Sequence, residues 1–363
     1  MSKCLIAFYN TPSGRFRWWD EFPIAIRNML SEVNIDCYYF YKSINKHSLY
    51  NNGEIFINPE LSGDGSLNNE KWLSEFVWPI MEKYDEVIIH THSYSPPFKF
   101  QQLIKRHKKT TWVATLHRCP TQKSSKFKQL YKMLLRRLNY LPKWYVGISN
   151  ATSNYLENNF GRKNIITIHN GVNLNTQLNS RVCKNNVSHN VKRYLFINRL
   201  DKGKGVDILI DALPLILNKN ENFCLTIAGD GPYEYLIENF LEQSNAPNIN
   251  YIGYSSDVNS LLTTHDVLLM PYTRPQGLSL ISLEARSYGL PAVYTAMGGV
   301  EETRDETNGV VMKDASAIAL AESVFQIDSD AKFTDLIAGC YEGLEYFSIE
   351  RMAADYVKFY KSL

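Results

Sequence analysis

The amino-acid sequence predicts an α/β protein of two αβα domains, each a parallel sheet covered on both faces by helices. Three observations carry this. Short apolar runs alternate with longer amphipathic segments through the first half of the chain, which is the pattern of strand–helix–strand crossovers. The alternation breaks at 173–190, a polar, Asn-rich stretch with few large apolar side chains, and then restarts. A length of 363 residues is long for one core and suits two.

Taken in order, Lys3 to Tyr9 is apolar enough for a first strand at 3–9. The run is too short for a secretory signal, and no small-residue cleavage site follows it. Further strands are expected at 35–41, 86–91, 111–116, 143–148 and 164–168, and helices at 20–31, 68–83 and 122–139. The segment 42–67, rich in Asn, Ser and Gly, reads as loop with one weak strand at 54–57. After the break, strands are expected at 193–197, 223–228, 248–252, 266–270, 291–295 and 309–312. Helices fit at 205–217, 232–243, 278–288, 315–326 and 331–345. Ser348 suits an N-cap and Glu350 the first turn of a last helix. Ile349, Met352, Ala353, Tyr356, Tyr360 and Leu363 then recur at helical spacing. That stripe needs a partner, which the pattern alone does not name. The expected division is 1–172, a linker at 173–190, 191–345, and a terminal helix at 346–363.

Composition excludes some classes. No stretch reaches the ~18 consecutive apolar residues of a membrane span. Six scattered cysteines without a C-x-x-C pair suit a reducing cytoplasm and argue against a disulfide frame or a zinc site. The net charge of +2 hides an asymmetry: Val87 to Leu156 holds thirteen Lys or Arg and no Asp or Glu. Such lopsidedness concerns partners, not fold.

Three segments of the second half carry chemistry. In Asn198-Arg199-Leu200-Asp201-Lys202-Gly203-Lys204-Gly205 a strand ends, a cationic glycine loop follows, and a helix begins. Cations at the open end of such a sheet suit a diphosphate; taken alone, the loop also reads as a solvated helix entry. It is not a Walker loop, since the Lys-Ser/Thr ending is missing. Gly229-Asp230-Gly231-Pro232 after an apolar strand reads as a tight turn before a helix. Pro271 to Ala285 runs from strand through loop into a helix expected from Leu278, whose first N–H groups form an anion site. Glu284 lies further along that helix, where the bland reading is a solvated side chain.

As an ordered set these segments resemble the retaining glycosyltransferases of family 4, which have the GT-B fold. That family's pattern is G-R-L…K-G, then G-D-G-P, then E-G-F-G-L…E-A-x-A-x-G-x-P-V. Here it is matched by Asn198-Arg199-Leu200, Lys204-Gly205, Gly229 to Pro232, Gln276-Gly277-Leu278-Ser279-Leu280, Glu284-Ala285, Gly289-Leu290-Pro291-Ala292-Val293 and Gly298-Gly299. The first half adds His90-Thr91-His92, Thr115-Leu116-His117, Ile148-Ser149 and Asn170-Gly171-Val172. The resemblance implies two Rossmann-like domains facing across a cleft, with the terminal helix crossing back onto the first. It implies that Arg199 and Lys204 hold the donor diphosphate and stabilise the leaving group. Gly277, Leu278, Ser279 and Leu280 would bring helix N–H groups to the phosphates, and Glu284 would bind the ribose. His117 would reach the donor sugar, Gly14 would let its loop approach the phosphates, and Tyr254 would neighbour the base. In the family a glutamate stands where this chain has Gln276, against the donor sugar; Gln keeps an acceptor but loses the charge. Asn198 and Ser279 also replace family glycines. The first loop, Asn10 to Trp19, lacks the usual Gly-Gly pair; its Arg and Trp residues either face acceptor or pack the loop.

The implied reaction is retaining transfer from a UDP- or GDP-linked sugar to a glycan or lipid-linked acceptor, in surface polysaccharide synthesis. Fixed cations meet the charge that builds on the leaving phosphate, so no metal or cofactor is expected. Asp328-Ser329-Asp330 imitates the D-x-D of metal-dependent transferases but falls between helices, where a solvated loop is expected. Within the basic region 99–143, Lys123 to Tyr140 reads as an ordinary sheet-covering helix with solvated lysines or as a patch for an anionic membrane surface; no nucleic-acid motif accompanies the charge. The expected location is the cytoplasm, peripheral at the inner face of the cell membrane. Two rival readings are a nucleotide-sugar epimerase of the same fold, and an inactive sugar-nucleotide binder in which Gln276 marks lost catalysis.

Overall fold

The structure, a computed structural model, describes residues 2–9, 18–41, 55–57, 73–92, 102, 104–107, 109–117, 141–160, 164–174, 192–328 and 333–363. The chain divides into two compact units, Met1–Asn170 with Ile349–Leu363, and Gly171–Ser348. Most of 173–190, the basic helix expected at 122–139 and the loop 10–17 lie outside the described residues.

In the first unit seven strands form a parallel sheet: β1 (Lys3–Tyr9), β2 (Asp36–Tyr41), β3 (Ile55–Ile57), β4 (Glu86–Thr91), β5 (Thr110–Leu116), β6 (Trp144–Gly147) and β7 (Ile165–Thr167). Their order is β3-β2-β1-β4-β5-β6-β7. Cys4, Leu5, Ile6 and Ala7 of β1 are all fully buried, as a parallel strand covered on both faces requires. Cys4, Ile6, Val87, Ile89 and Trp112 pack on one face against Val77, Ile80 and Met81. Helix α1 (Trp18–Ser31) follows β1, and α2 (Trp78–Met81) precedes β4. Helix α3 (Asn150–Phe160) follows β6.

The terminal helix also belongs to this unit. Its buried side includes Met352, Ala353, Tyr356 and Tyr360, and Phe359 meets Trp144 edge-on at 5.5 Å. The tyrosines reach polar groups of the sheet: Tyr360 Oη lies 2.6 Å from His90 Nδ1, and Tyr356 Oη 3.2 Å from Thr115 Oγ1. The stripe seen in the sequence is therefore the surface that seals the first sheet.

The second unit holds a six-stranded parallel sheet of β8 (Arg193–Ile197), β9 (Cys224–Ala228), β10 (Ile249–Tyr251), β11 (Val267–Met270), β12 (Ala292–Tyr294) and β13 (Gly309–Val311), in the order β10-β9-β8-β11-β12-β13. Its helices are α4 (Val206–Lys219), α5 (Glu234–Gln243), α6 (Val258–Thr264), α7 (Leu280–Ser287), α8 (Ala317–Asp328) and α9 (Phe333–Gly339); the terminal helix is α10 (Ile349–Ser362). Leu209, Leu213 and Ile216 of α4 share one core with Leu320, Val324 and Ile327 of α8. Leu268, Met270, Ala285, Leu290 and Val300 form a core on the other face. In both sheets the order reverses direction between two neighbouring strands, β1 and β4 or β8 and β11, and ligands of open α/β sheets bind beyond such points.

Several elements differ from expectation. The helix expected at 68–83 is, where described, a π-turn at Leu73–Val77 followed by α2. Pro79 sits near the start of α2 and has no N–H to give a continuous helix. The helix expected at 331–345 ends at Gly339, where a Cβ would lie 2.0 Å from the Thr307 carbonyl oxygen; a 3-10 turn follows at Leu344–Phe347. Helices α3 and α6 are unforeseen because neither carries a strong apolar stripe. Their caps were legible: Ser149 and Thr152 bond reciprocally, each side chain accepting the other's backbone N–H at 3.0–3.1 Å, and Asp257 Oδ1 accepts from Ser260 N at 2.9 Å.

Two outcomes follow from this packing. Burial first, and the nearby His117 second, push the His90 pKa from 6.5 down to about 3. The folded unit therefore binds fewer protons than the unfolded chain between those values. The stability from neutral His90 is fully present above pH 6.5 and is lost as pH falls toward 3, roughly 2 kcal/mol by pH 5. Urea titrations at pH 7 and pH 5 should show this loss, with a smaller slope in His90→Gln. Gly205, at φ 74° between β8 and α4, has no room for a Cβ, which would lie 1.8 Å from the Pro271 carbonyl oxygen. Gly205→Ala should lower stability by about 1–3 kcal/mol or more, read as a lower melting temperature.

Candidate functional site

The loop after β8 carries Arg199 and Lys204, and its shape is set by Asp201. The Asp201 carboxylate caps the short turn Lys202–Lys204, Oδ1 accepting from Gly203 N at 2.9 Å, while Oδ2 lies 3.6 Å from Arg199 Nε. The Arg199 side chain is 65% exposed. An exposed ion pair of this kind is weak, so the guanidinium is available to a stronger anion. Lys204 turns toward the loop after β11: Nζ donates to Gln276 Oε1 at 2.8 Å and lies 4.8 Å from the centre of the Tyr272 ring. Both partners are neutral. Gln276 is itself oriented, Nε2 donating to the Arg274 carbonyl at 2.7 Å and its backbone bridging to Gly298.

The two departures from family glycines converge on one group. Asn198 Nδ2 donates to Tyr272 Oη at 3.3 Å, and Ser279 Oγ lies 3.1 Å from the same hydroxyl. Tyr272 is fully buried, and a buried phenol needs such partners. Tyr272 thus links the loops after β8 and β11 and offers its ring face to Lys204. Sequence reasoning missed it because a tyrosine after an apolar strand reads as core; the signal was the paired loss of two glycines.

Helix α7 begins at Leu280, with Ser279 extended as its N-cap at φ −84° and ψ 101°. The expected start at Leu278 is thus two residues early: Leu278 is buried and Gly277 lies in the preceding loop. The N–H groups at the start of α7, among them Leu280's, have no partner within the helix and carry its positive dipole end. Glu284 is half-buried in α7. Tyr254 is 45% exposed and follows Gly253, whose carbonyl accepts from Gly229 N at 2.7 Å. Lys204, Gln276, Tyr272 and Ser279 are thus brought together at the reversal point of the second sheet, Arg199 shares the Lys204 loop, and Tyr254 stands beyond the edge strand β10, two strands from β8. Gly14 lies outside the described residues.

Asp328 is not the solvated loop residue expected. It ends α8, accepts from Tyr194 Oη at 2.6 Å and lies 3.8 Å from Lys192 Nζ. Asp330 lies outside the described residues. The four described cysteines are free thiols, and among the described residues no helix is long and apolar enough to cross a membrane.

In the first unit His117 follows β5, and its Nε2 lies 2.8 Å from His92 Nδ1 with the rings stacked at 5.1 Å. Burial first, and then His90 and His117, hold the His92 pKa well below its usual value. The His117 ring is therefore backed by a neutral imidazole.

Comparisons with known proteins fit this geometry. A family model described as Glycosyl transferases group 1 matches residues 191–330, and one described as Glycosyltransferase Family 4 matches residues 25–176. An uncharacterized glycosyltransferase of Methanocaldococcus jannaschii is 26% identical over 293 residues, 78% of each chain. A GDP-mannose-dependent monoacylated alpha-(1-6)-phosphatidylinositol monomannoside mannosyltransferase of Corynebacterium glutamicum is 30% identical over 142 residues, 37% of each chain. Among solved structures, a glycosyltransferase of Rickettsia africae superposes with a TM-score of 0.74 at 19% identity, over 99% of this chain and 98% of that one. Anabaena HepE, in complex with UDP, does so with a TM-score of 0.73 at 17% identity, over 99% and 100%. At these identities the likeness speaks to the fold. With two consecutive family matches on two parallel sheets of this topology, the chain belongs to the glycosyltransferases of the group 1, family 4 type, enzymes of the GT-B fold.

Proposed function

We propose that the protein is a retaining glycosyltransferase that moves a sugar from a UDP- or GDP-linked donor to a glycan or lipid-linked acceptor in surface polysaccharide synthesis. The observation that carries this reading is the placement of Arg199 and Lys204 on one loop beyond β8, with Lys204 bonded to Gln276 beside the start of α7. Breaking the glycosidic C–O bond loads negative charge onto the departing diphosphate. Two cations and a helix N-terminus at the open end of the sheet are suited to meet that charge as it develops. Because Gln276 is neutral, it does not offset the Lys204 ammonium as a carboxylate there would. Glu284 is assigned to the ribose, Tyr254 to the base and His117 to the donor sugar. UDP in complex with the similar Anabaena HepE favours a uridine donor, and the GDP-mannose dependence of the Corynebacterium relative keeps a guanosine donor in view.

In this reading the cations stand in for a metal ion, and the protein acts in the cytoplasm. That Corynebacterium protein is named for a phosphatidylinositol-linked acceptor. Together with the acid-free region 87–156, this supports a lipid-linked acceptor reached at an anionic membrane face. The epimerase rival gains no support from the relatives, which are transferases. The inactive-binder rival rests on Gln276 alone.

A panel of nucleotide sugars screened for thermal stabilisation identifies the donor. With that donor, Arg199→Ala should lower transfer or donor hydrolysis about 30- to 1000-fold, or 2–4 kcal/mol, with folding unchanged because the side chain is exposed. Activity should persist in EDTA. A loss below about threefold would contradict the leaving-group role, EDTA sensitivity would contradict metal independence, and binding without turnover would favour the inactive reading. For the membrane role, co-sedimentation with phosphatidylglycerol vesicles at low salt should exceed that with neutral vesicles and weaken as salt is raised; equal binding to both would remove the anionic-surface proposal.

A further inference from the structure

His92 stands behind His117 in a way that the donor-sugar role of His117 does not by itself explain. Strands β4 and β5 are in register with His90 opposite Val113 and Thr91 opposite Ala114. Alternation along the strands therefore brings His90, His92, Thr115 and His117 to one face at the end of the sheet. The His90 ring lies 4.6 Å from that of His92. Both nitrogens of His90 are engaged, Nδ1 with Tyr360 Oη at 2.6 Å and Nε2 with Thr115 Oγ1 at 2.7 Å. Thr115 in turn meets Tyr356 Oη at 3.2 Å. The chain of contacts runs from two tyrosines of α10, through His90 and His92, to His117.

A hydrogen bond between two neutral imidazoles holds one proton. When His117 Nε2 donates it, His117 Nδ1 is an acceptor; when His92 Nδ1 donates it, His117 Nδ1 carries the other proton and is a donor. The direction of the His92–His117 bond thus decides which partner His117 can serve. It also commits Nε2, so a ring contact from His117 to a sugar hydroxyl runs through Nδ1. We infer that His92 is a positioning residue that fixes the ring orientation and tautomer of His117, with His90, Tyr356 and Tyr360 as its rear support. The inference rests on the proposed donor-sugar role of His117 for its catalytic consequence, whereas its tautomer content is readable without turnover.

Nitrogen NMR on the full chain labelled with ¹⁵N-histidine tests the second part, with His117 assigned from His117→Ala. One neutral tautomer is expected in the wild type and a mixture in His92→Leu. Kinetics test the first part. His92→Leu should lower kcat on the order of 10- to 100-fold while the donor KM stays within about threefold. His92→Asn, whose amide reaches the Nδ1 position, should recover most of the loss. In a His117→Ala background His92→Leu should cost less than about threefold more. An equal loss in both backgrounds would mark a packing effect and overturn the inference. Mixed His117 tautomers in the wild type would overturn it whether or not any variant folds. A locked tautomer in a protein without turnover would instead sink the glycosyl-transfer reading and leave the positioning of His117 standing.

Discussion

The candidate donor site depends on how closely two loops approach at the reversal point of the second sheet. The turn from β8 into α4 presses its backbone against the carbonyl of Pro271, and only a residue without Cβ, Gly205, fits there. This contact carries Lys204 to Gln276 and sets its ammonium over the Tyr272 ring. Two cations on separate, loosely held loops would lose most of their preorganisation to conformational entropy. A backbone contact and a buried phenol hold the Lys204 ammonium in one place on its loop.

The same unit shows how a family pattern is re-solved locally. Asparagine and serine replace two glycines, and both hydrogen-bond the hydroxyl of Tyr272. Taken singly, each replacement looks like a defect in a phosphate-binding loop. Together they satisfy a buried phenol that ties the loops to each other. Gln276 follows a similar logic. Its amide bridges Lys204 and the Arg274 carbonyl, a task that needs an acceptor and a donor at once and that a carboxylate cannot perform.

The first unit draws its polar centre from far along the sequence. His90 and Thr115 come from neighbouring strands, and Tyr356 and Tyr360 from a helix that closes the chain. Buried imidazoles are costly when unpartnered, so the terminal helix does more than cover apolar surface: it supplies the Tyr360 hydroxyl that partners buried His90 and the Tyr356 hydroxyl that meets Thr115. Burial keeps His90 and His92 neutral, and His92 backs the His117 ring.

Most of the fold was legible in the sequence, because fully covered parallel strands such as Leu5-Ile6-Ala7 or Val267 to Met270 must be apolar wherever they pack. The loop that carries Arg199 and Lys204 was legible too, since a cationic glycine run between strand and helix is a local pattern. Helices α3 and α6 were not, because polar helices are set by caps and by docking rather than by a stripe. Nor was the start of α7, where extended Ser279 and buried Leu278 shorten the helix. What only the tertiary structure decided are the long-range pairings: Tyr272 with Asn198 and Ser279, Asp328 with Tyr194, and His90 with Tyr360. Local sequence specifies which residues are apolar and where the backbone turns. Which buried polar groups meet depends on strand order and register, and those exist only once the sheets have assembled.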